Sequence, residues 1–216
     1  MFDALSYIIH RMKARVPRAE GRGGEILENV NNSVLIIGSL AGRVRRSHSG
    51  RGEDYYTFPI EVARLSGTVD ILNVIAREEL IKNIEVEEKT GVRVSGEVRS
   101  FNNKTGVGSK LVITVFAREI AFCDDDDENE VALSGTICKK PNFRRTPMGR
   151  QICDIMLAVG RNYGRSDYLP CIVWGQVAER ASQLAVGDRI RLLGRLQSRK
   201  YIKSGDISSA ERTAFE

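Results

Sequence analysis

The strongest constraint on this sequence is a weak internal repeat, in which segments recur 97 positions further along the chain. The matching segments are residues 32–40 with 129–137, residues 60–64 with 157–161, and residues 70–75 with 167–172. Three matches at one offset are hard to obtain by chance. We therefore predict two copies of one domain of about 90 to 100 residues each.

A strongly acidic segment separates the two copies. Residues 124–130 hold six acidic side chains in seven positions and cannot pack in a core, so we expect an exposed linker. An alternative is that this segment competes with a polyanion for the second copy. The predicted parts are residues 1–24 (an amphipathic helix and a flexible end), 25–123 (the first copy), 124–130 (the acidic linker) and 131–216 (the second copy).

Each copy is predicted to consist of short strands and one helix. A glycine inside the first strand of each copy, Gly38 and Gly135, is typical of the sharp bends that small barrels need. In the second copy the predicted order is a strand at 131–133, strands over 152–159 and 168–174, a helix over 176–185, a strand over 189–198, and a turn at 203–206 leading into a fifth strand.

Three strands, one helix and two strands form the pattern of the OB-fold, a five-stranded Greek-key barrel. The predicted fold class is all-β, with two tandem OB-fold barrels, each carrying one short helix, and an additional N-terminal helix. In the helix of the second copy, Val177, Ala181 and Leu184 are expected on one face. The helix of the first copy is expected over 77–83.

The positive charge lies mainly in the second copy. Residues 131–216 hold 15 Lys and Arg against 7 acids, whereas residues 25–123 hold 13 of each. Most of this excess is arginine, whose planar guanidinium suits phosphate groups and base stacking. A polyanion such as nucleic acid is therefore the expected partner of the second copy. The alternative is a merely soluble, lysine-rich surface.

Aromatic residues accompany these cations. Tyr168 and Trp174 share one side of a predicted strand whose other side is apolar. Aromatic rings beside cations can stack bases while arginines contact phosphates. The predicted stacking residues are Tyr163, Tyr168, Trp174 and Tyr201, and the predicted phosphate contacts are Arg144, Arg145, Arg161, Arg165, Arg195, Arg199 and Lys200. The alternative is that Tyr168 and Trp174 close the end of the barrel or line a subunit interface.

Five motifs of the second copy belong together: NEVALSG (129–135), FRRTPMG (143–149), LAV (157–159), RSDYLPCIVWG (165–175) and GRLQSRKY (194–201). They resemble the bacterial single-stranded DNA-binding protein family. The resemblance implies an OB-fold, sequence-independent binding of single-stranded DNA, and an assembly with four OB-folds, as a dimer or a tetramer. It implies stacking at Tyr163, Tyr168, Trp174 and Tyr201 and a basic contact at Arg144.

The same resemblance implies work in replication, recombination or repair in the cytoplasm, on the nucleoid, with replication proteins as candidate partners. Residues 25–123 resemble the family only in outline, because Ser66, Ile71 and Arg77 stand where the second copy has its first three aromatics. We therefore expect the first copy to be a degenerate OB-fold with a structural or assembly role.

Other function classes find little support. No cofactor, metal site or enzymatic activity is expected, because the four cysteines form no C-x-x-C pair and residues 104–110 lack the spacing of a phosphate loop. No run approaches the roughly 20 apolar residues of a membrane span. The alternative function is a primosome-type accessory protein or protein-interaction module, which the neutral first copy favours.

Overall fold

Strands make up most of the chain in a computed structural model, which describes residues 31–50, 52–82, 89–103, 110–202 and 211–215. Side chains are described as far as residue 198. The predicted N-terminal helix within residues 1–24 and the turn at 203–206 lie outside the described residues. So do the side chains of Arg199, Lys200 and Tyr201, whose backbone is described.

The first copy forms a closed barrel. Its elements are β1 (Asn32–Leu40), β2 (Arg45–Gly50), β3 (Glu53–Ala63), β4 (Val69–Arg77), helix α1 (Glu78–Ile81), β5 (Gly91–Asn102) and β6 (Leu111–Phe122). Antiparallel pairing joins β1 to β5, β5 to β6, β4 to β3 and β3 to β1, while β6 runs parallel to β4. β2 extends β3 as a hairpin. The ring is the Greek-key order of an OB-fold.

The second copy repeats this order. Its elements are β7 (Glu128–Ile137), β8 (Asn142–Arg145), β9 (Gln151–Gly160), a 3₁₀ turn (Asn162–Gly164), β10 (Ser166–Trp174), α2 (Gln176–Ala181), β11 (Arg189–Gly194), β12 (Ser198–Ile202) and β13 (Glu211–Phe215). β9 pairs with β7, β8 and β10, β7 also pairs with β11, and β12 pairs with β13. The predicted all-β chain with two tandem OB-folds is confirmed.

The helices are shorter than predicted. After Ala181, the N–H groups of Gln183 and Leu184 reach back only three residues, so the helical ladder tightens and ends. Of the three residues predicted on one face, Ala181 is 6% exposed and Val177 is 47% exposed. A helix of six residues presents only one i, i+3 pair to the sheet, and that pair is Ala178 and Ala181.

The two copies are joined by antiparallel pairing of β1 with β7. In this pairing Val34 lies opposite Val131, its equivalent in the repeat, so the joint has a local twofold relation. The acidic segment contacts the first copy: Asp127 Oδ2 accepts a hydrogen bond from Ala63 N at 2.6 Å, and Asp125 Oδ2 lies 3.8 Å from Arg93 Nη1. Residues 128–130 of that segment belong to β7.

The two strand glycines, for which bends were predicted, lie where the backbone of a neighbouring strand approaches closely, and the pairing of β1 with β5 and of β7 with β11 continues through them without a register shift. A Cβ added to Gly38 would lie 2.3 Å from Glu61 O, and one added to Gly135 would lie 2.5 Å from Ala158 O. Only glycine lets β1 and β7 pass their neighbours at this distance. Of the residues described, none forms a helix long and apolar enough to span a bilayer.

Candidate nucleic-acid interface

The outer face of β8, β9 and β10 brings predicted site residues together. Trp174 pairs with Ile152 across β9 and β10, and Arg144 pairs with Ile152 across β8 and β9. Directly opposed residues of antiparallel strands lie on the same face, so Arg144, Ile152 and Trp174 form one row across three strands. Tyr168 lies on the same face at the other end of β10, opposite Ala158.

The alternation predicted for β10 is present in the structure. The side chains of Tyr168 and Trp174 are 53% and 49% exposed, whereas Leu169 between them is 2% exposed. Cys171 packs inward with Leu169, and burial raises the pKa of its thiol to about 12. One face of β10 is therefore core, and the other presents two large aromatic rings to solvent.

Tyr163 occupies a strained position. It lies in the 3₁₀ turn before β10 with φ 64° and ψ 35°, in the left-handed region, and its side chain is 90% exposed. The turn is closed by a hydrogen bond from Arg161 N to Arg165 O at 2.7 Å. Left-handed backbone costs a residue other than glycine about 1–2 kcal/mol, and such strain concentrates at functional sites.

The β8–β9 hairpin carries further exposed groups beside this face. Its turn is fixed by Thr146 N donating to Arg150 O at 2.9 Å and by Arg150 N donating to Thr146 Oγ1 at 3.1 Å. Met148 at the turn is 79% exposed and Phe143 at the base is 37% exposed. Arg145 is also exposed.

Arg144 is already bound to a carboxylate in the structure. Its Nε and Nη2 donate to Asp154 Oδ2 and Oδ1 at 2.7 and 3.0 Å. Sequence reasoning missed Asp154, although a charged residue inside the apolar run from Ile152 to Val159 is a signal that could have identified it. A phosphate at Arg144 would have to replace this partner.

Arg161, a predicted phosphate contact, has a different partner. Its Nε donates to Asp167 Oδ2 at 2.5 Å and its Nη2 donates to the other carboxylate oxygen and, at 3.0 Å, to Ser100 O. Asp167 is 0% exposed. Burial alone would raise the pKa of this carboxyl, but hydrogen bonds from Arg161 and from Ser100 N offset burial and hold the pKa below its usual value.

The repeat contains the signal for this pairing. Arg64 and Asp70 stand 97 positions before Arg161 and Asp167, and the structure pairs them in the same way. A cation and an acid kept together in both copies point to a common structural role. The Arg161 guanidinium is therefore held by Asp167, and its side chain is 26% exposed.

The remaining predicted cations lie at other places around the second copy. Arg165 is exposed next to the 3₁₀ turn and Arg195 is exposed after β11. The backbone of Arg199, Lys200 and Tyr201 belongs to β12, which pairs with β13.

The first copy carries its own aromatic cluster. The rings of His48 and Tyr55 stack with their centroids 4.8 Å apart, and Tyr55 lies 6.1 Å from Phe116. The Arg118 guanidinium lies 5.4 Å from the Phe116 centroid, but it is also paired with Glu97 at 2.7 Å. The positive charge of Arg118 in this cluster is therefore neutralised by Glu97. Phe58, on β3 of the same copy, is buried and 2% exposed.

Comparison with known proteins gives consistent matches. The single-strand binding protein family matches residues 128–213. The single-stranded DNA-binding protein of Deinococcus radiodurans is 30% identical over 220 residues, covering 84% of this chain and 72% of that protein. Single-stranded DNA-binding protein 2 of Listeria innocua is 35% identical over 80 residues, covering 34% of this chain and 50% of that protein.

The match to Listeria innocua and to similar relatives from Enterococcus faecalis and Lactococcus lactis spans about half the length of those proteins. Among solved structures, the wild-type single-stranded DNA binding protein from Thermus aquaticus superposes with a TM-score of 0.67 and 23% identity. The superposition covers 78% of this chain and 85% of that chain. At that identity the likeness shows the fold alone.

Proposed function

Because the chain belongs to the single-strand binding protein family, we propose that it binds single-stranded DNA without sequence specificity. The observation that carries this proposal is the set of exposed rings at one side of β10. Tyr163, Tyr168 and Trp174 are 90%, 53% and 49% exposed. Leaving such rings in water is unfavourable, because burying apolar surface lowers the free energy. Basic residues flank them.

The proposed mechanism is base stacking with phosphate contacts. Each base stacked on an aromatic ring contributes roughly 1–3 kcal/mol, and every base offers a π-face, so binding tolerates any sequence. The proposed stacking residues are Tyr163, Tyr168, Trp174 and Tyr201. The proposed phosphate contacts are Arg144, Arg145, Arg165, Arg195, Arg199 and Lys200; Arg161 leaves this set because Asp167 holds its guanidinium.

At Arg144, binding is an exchange of partners. In the free protein Asp154 accepts two hydrogen bonds from this guanidinium. A DNA phosphate has the same geometry of two acceptor oxygens and can take that place. Asp154 then lowers the affinity for phosphate and makes binding less steeply dependent on salt, because the carboxylate that is freed takes up a cation and offsets part of the counterion release from the DNA.

The two copies have different proposed roles. We assign DNA binding to residues 131–216 and assembly to residues 25–123, with residues 124–130 between them, of which 128–130 already belong to β7. Two chains would present four OB-folds. The proposed setting is replication, recombination or repair in the bacterial cytoplasm, without catalysis and with replication proteins as partners. A purely protein-binding role is less favoured, because it does not require exposed rings beside arginines.

The test is a titration with oligo-dT of graded length, read by the fluorescence of Trp174, which is the single tryptophan of the chain. We expect quenching that saturates and weakens as salt rises, with a slope in log K against log salt of about −0.7 for each phosphate contacted. Unchanged fluorescence together with no gel shift at low salt would refute DNA binding. A mass measurement of the assembly fixes the number of OB-folds in it.

A matched pair of variants assigns the binding to one copy. Tyr168 and Ile71 occupy equivalent positions in the repeat and are both exposed, at 53% and 38%. Tyr168→Ala should weaken binding by about 5- to 100-fold, the loss of one stacked base. Ile71→Ala should leave affinity unchanged. An equal loss in both variants would contradict the assembly role of the first copy.

A further inference from the structure

Two buried carboxylates connect the copies, and they occupy equivalent positions in the repeat. The first group, which we name the Asp70 cluster, consists of Arg64, Asp70 and Ser198. Asp70 is 1% exposed and accepts hydrogen bonds from Arg64 Nε at 2.7 Å, from Ser198 N at 2.7 Å and from Ser198 Oγ at 3.0 Å. Arg64 Nη2 also donates to Ser198 O at 3.2 Å. Arg64 and Asp70 belong to the first copy and Ser198 to the second.

The Asp167 cluster, formed by Arg161, Asp167 and Ser100, is the reciprocal arrangement. Here the acid and the arginine belong to the second copy and the serine to the first. Ser100 N donates to Asp167 Oδ1 at 2.5 Å, and Arg161 Nη2 donates to Ser100 O at 3.0 Å. Arg99 adds a bond to Asp167 Oδ2 at 3.1 Å. Each copy therefore holds one serine of the other in a buried, charged site.

Each cluster contacts a strand that carries a proposed stacking residue: the Asp167 cluster contacts β10, and the Asp70 cluster contacts β12. Ser100 Oγ accepts a hydrogen bond from Tyr168 N at 2.9 Å, so a side chain of the first copy fixes the backbone beneath a proposed stacking ring. Ser198 is the first residue of β12, whose next residues are Arg199, Lys200 and Tyr201. Its Oγ also accepts from Ile71 N at 3.2 Å, which ties it to β4 of the first copy.

We propose that the first copy positions the DNA-binding strands of the second, with Ser100 as a positioning residue for Tyr168 and Asp70 as a positioning residue for β12 and Tyr201. This inference rests on the proposed function. The pairing of β1 with β7 already joins the copies through backbone hydrogen bonds. The two clusters add contacts specifically at β10 and β12, and a buried charge network with every bond satisfied defines one geometry.

The experiment is a double-mutant cycle in the full chain, read by oligo-dT affinity. Ser100→Ala should weaken binding about fivefold in the wild-type background, and by less than about twofold when Tyr168→Ala is already present. Asp70→Asn should likewise weaken oligo-dT binding about fivefold in the wild-type background and by less than about twofold when Tyr201→Ala is already present. Coupling to one chosen ring is a result that a general loss of stability would not produce.

Two matched controls share the chemistry but lie outside the clusters. Ser134→Ala removes a half-buried hydroxyl from β7, and Asp54→Asn neutralises an acid that is paired with Arg46 at 2.9 Å on the surface of the first copy. Both should bind oligo-dT as the wild type does. If Asp70→Asn fails to fold, Ser198→Ala replaces it, because the backbone contact from Ser198 N to Asp70 remains in that variant.

The outcomes separate the two proposals. Absence of oligo-dT binding by the wild-type chain overturns the proposed function itself. If the wild type binds and Ser100→Ala and Ser198→Ala bind equally well, the positioning role is wrong and the function stands. If the variants weaken binding by the same factor with and without the tyrosines, the clusters are only structural, and the inference is likewise overturned.

Discussion

Replacing Gly135 by alanine tests the tightest backbone contact of the second copy. The added Cβ would lie 2.5 Å from Ala158 O, 2.9 Å from Leu157 Cγ and 3.1 Å from Ala158 C. Two of these atoms are backbone atoms of β9, so no side-chain rotation can relieve the clash. β9 must move away from β7 at the place where their hydrogen-bond ladder lies.

The magnitude follows from this geometry. Contacts between Cβ and a carbonyl oxygen are rarely shorter than 3.0 Å, so the strands must separate by about half an ångström. Overpacking of this kind costs about 1–3 kcal/mol. Because one kcal/mol shifts Tm by about 2–4 °C in a chain of this size, we expect Gly135→Ala to lower Tm by roughly 2–12 °C.

The assay is thermal unfolding followed by circular dichroism, with Gly194→Ala as the control. No atom lies within 4 Å of a Cβ added at Gly194, and that residue pairs with Val131 on the opposite edge of β7. The control should be neutral or stabilising by a few tenths of a kcal/mol up to about 1 kcal/mol. If both variants melt within a degree of the wild type, the inferred close approach of β7 and β9 is wrong.

The same substitution has a functional consequence. Ala158 is the cross-strand partner of Tyr168, so a displaced β9 shifts the strand beneath a proposed stacking ring. Gly135→Ala should therefore weaken oligo-dT binding at temperatures well below its Tm, whereas Gly194→Ala should not.

Three further predictions concern single side chains. Tyr163→Gly should raise the free energy of unfolding by about 1 kcal/mol, because glycine adopts φ 64° without strain, and yet weaken oligo-dT binding several-fold; equal affinity would exclude Tyr163 from the interface. Asp154→Asn should tighten binding and steepen its salt dependence, since Arg144 loses a competing carboxylate; weaker binding in a titration would contradict the exchange of partners. Asp167 has a lowered pKa in the folded protein, so its stabilisation is present above the unfolded pKa of about 3.9 and is lost as pH falls through the folded pKa. Denaturant unfolding between pH 3 and 7 should show this acid loss in the wild type and a flatter profile in Asp167→Asn.

Much of the fold follows from patterns that act over short distances. The alternation in β10 was sufficient to place Leu169 inside and Tyr168 outside, because side chains of a strand alternate between its faces. The repeat indicated two copies of one barrel before any contact was known. The end of α2 was not predicted, because Leu184 continues the helical apolar period while its N–H group bonds only three residues back.

The candidate site was less predictable, because the partner of a charged group depends on tertiary structure. Arg161 and Arg165 lie in one polar loop and look equivalent in sequence. The first is bound to a buried carboxylate and to Ser100 O from the other copy, while the second is exposed. Only the matching Arg64–Asp70 pair in the first copy distinguishes them, and this match is visible only when the two copies are aligned.

The antiparallel meeting of Val34 and Val131 has a consequence for how the molecule holds together on dilution. The two edges belong to one chain, so each meets the other at an effective concentration on the order of millimolar, set by the connecting segment and independent of the amount of protein. A dimer of separate identical subunits would dissociate at low concentration, and both sides of its interface would have the same sequence. Covalent linkage removes both requirements, so one barrel can carry exposed aromatic rings while its partner differs at every one of those positions.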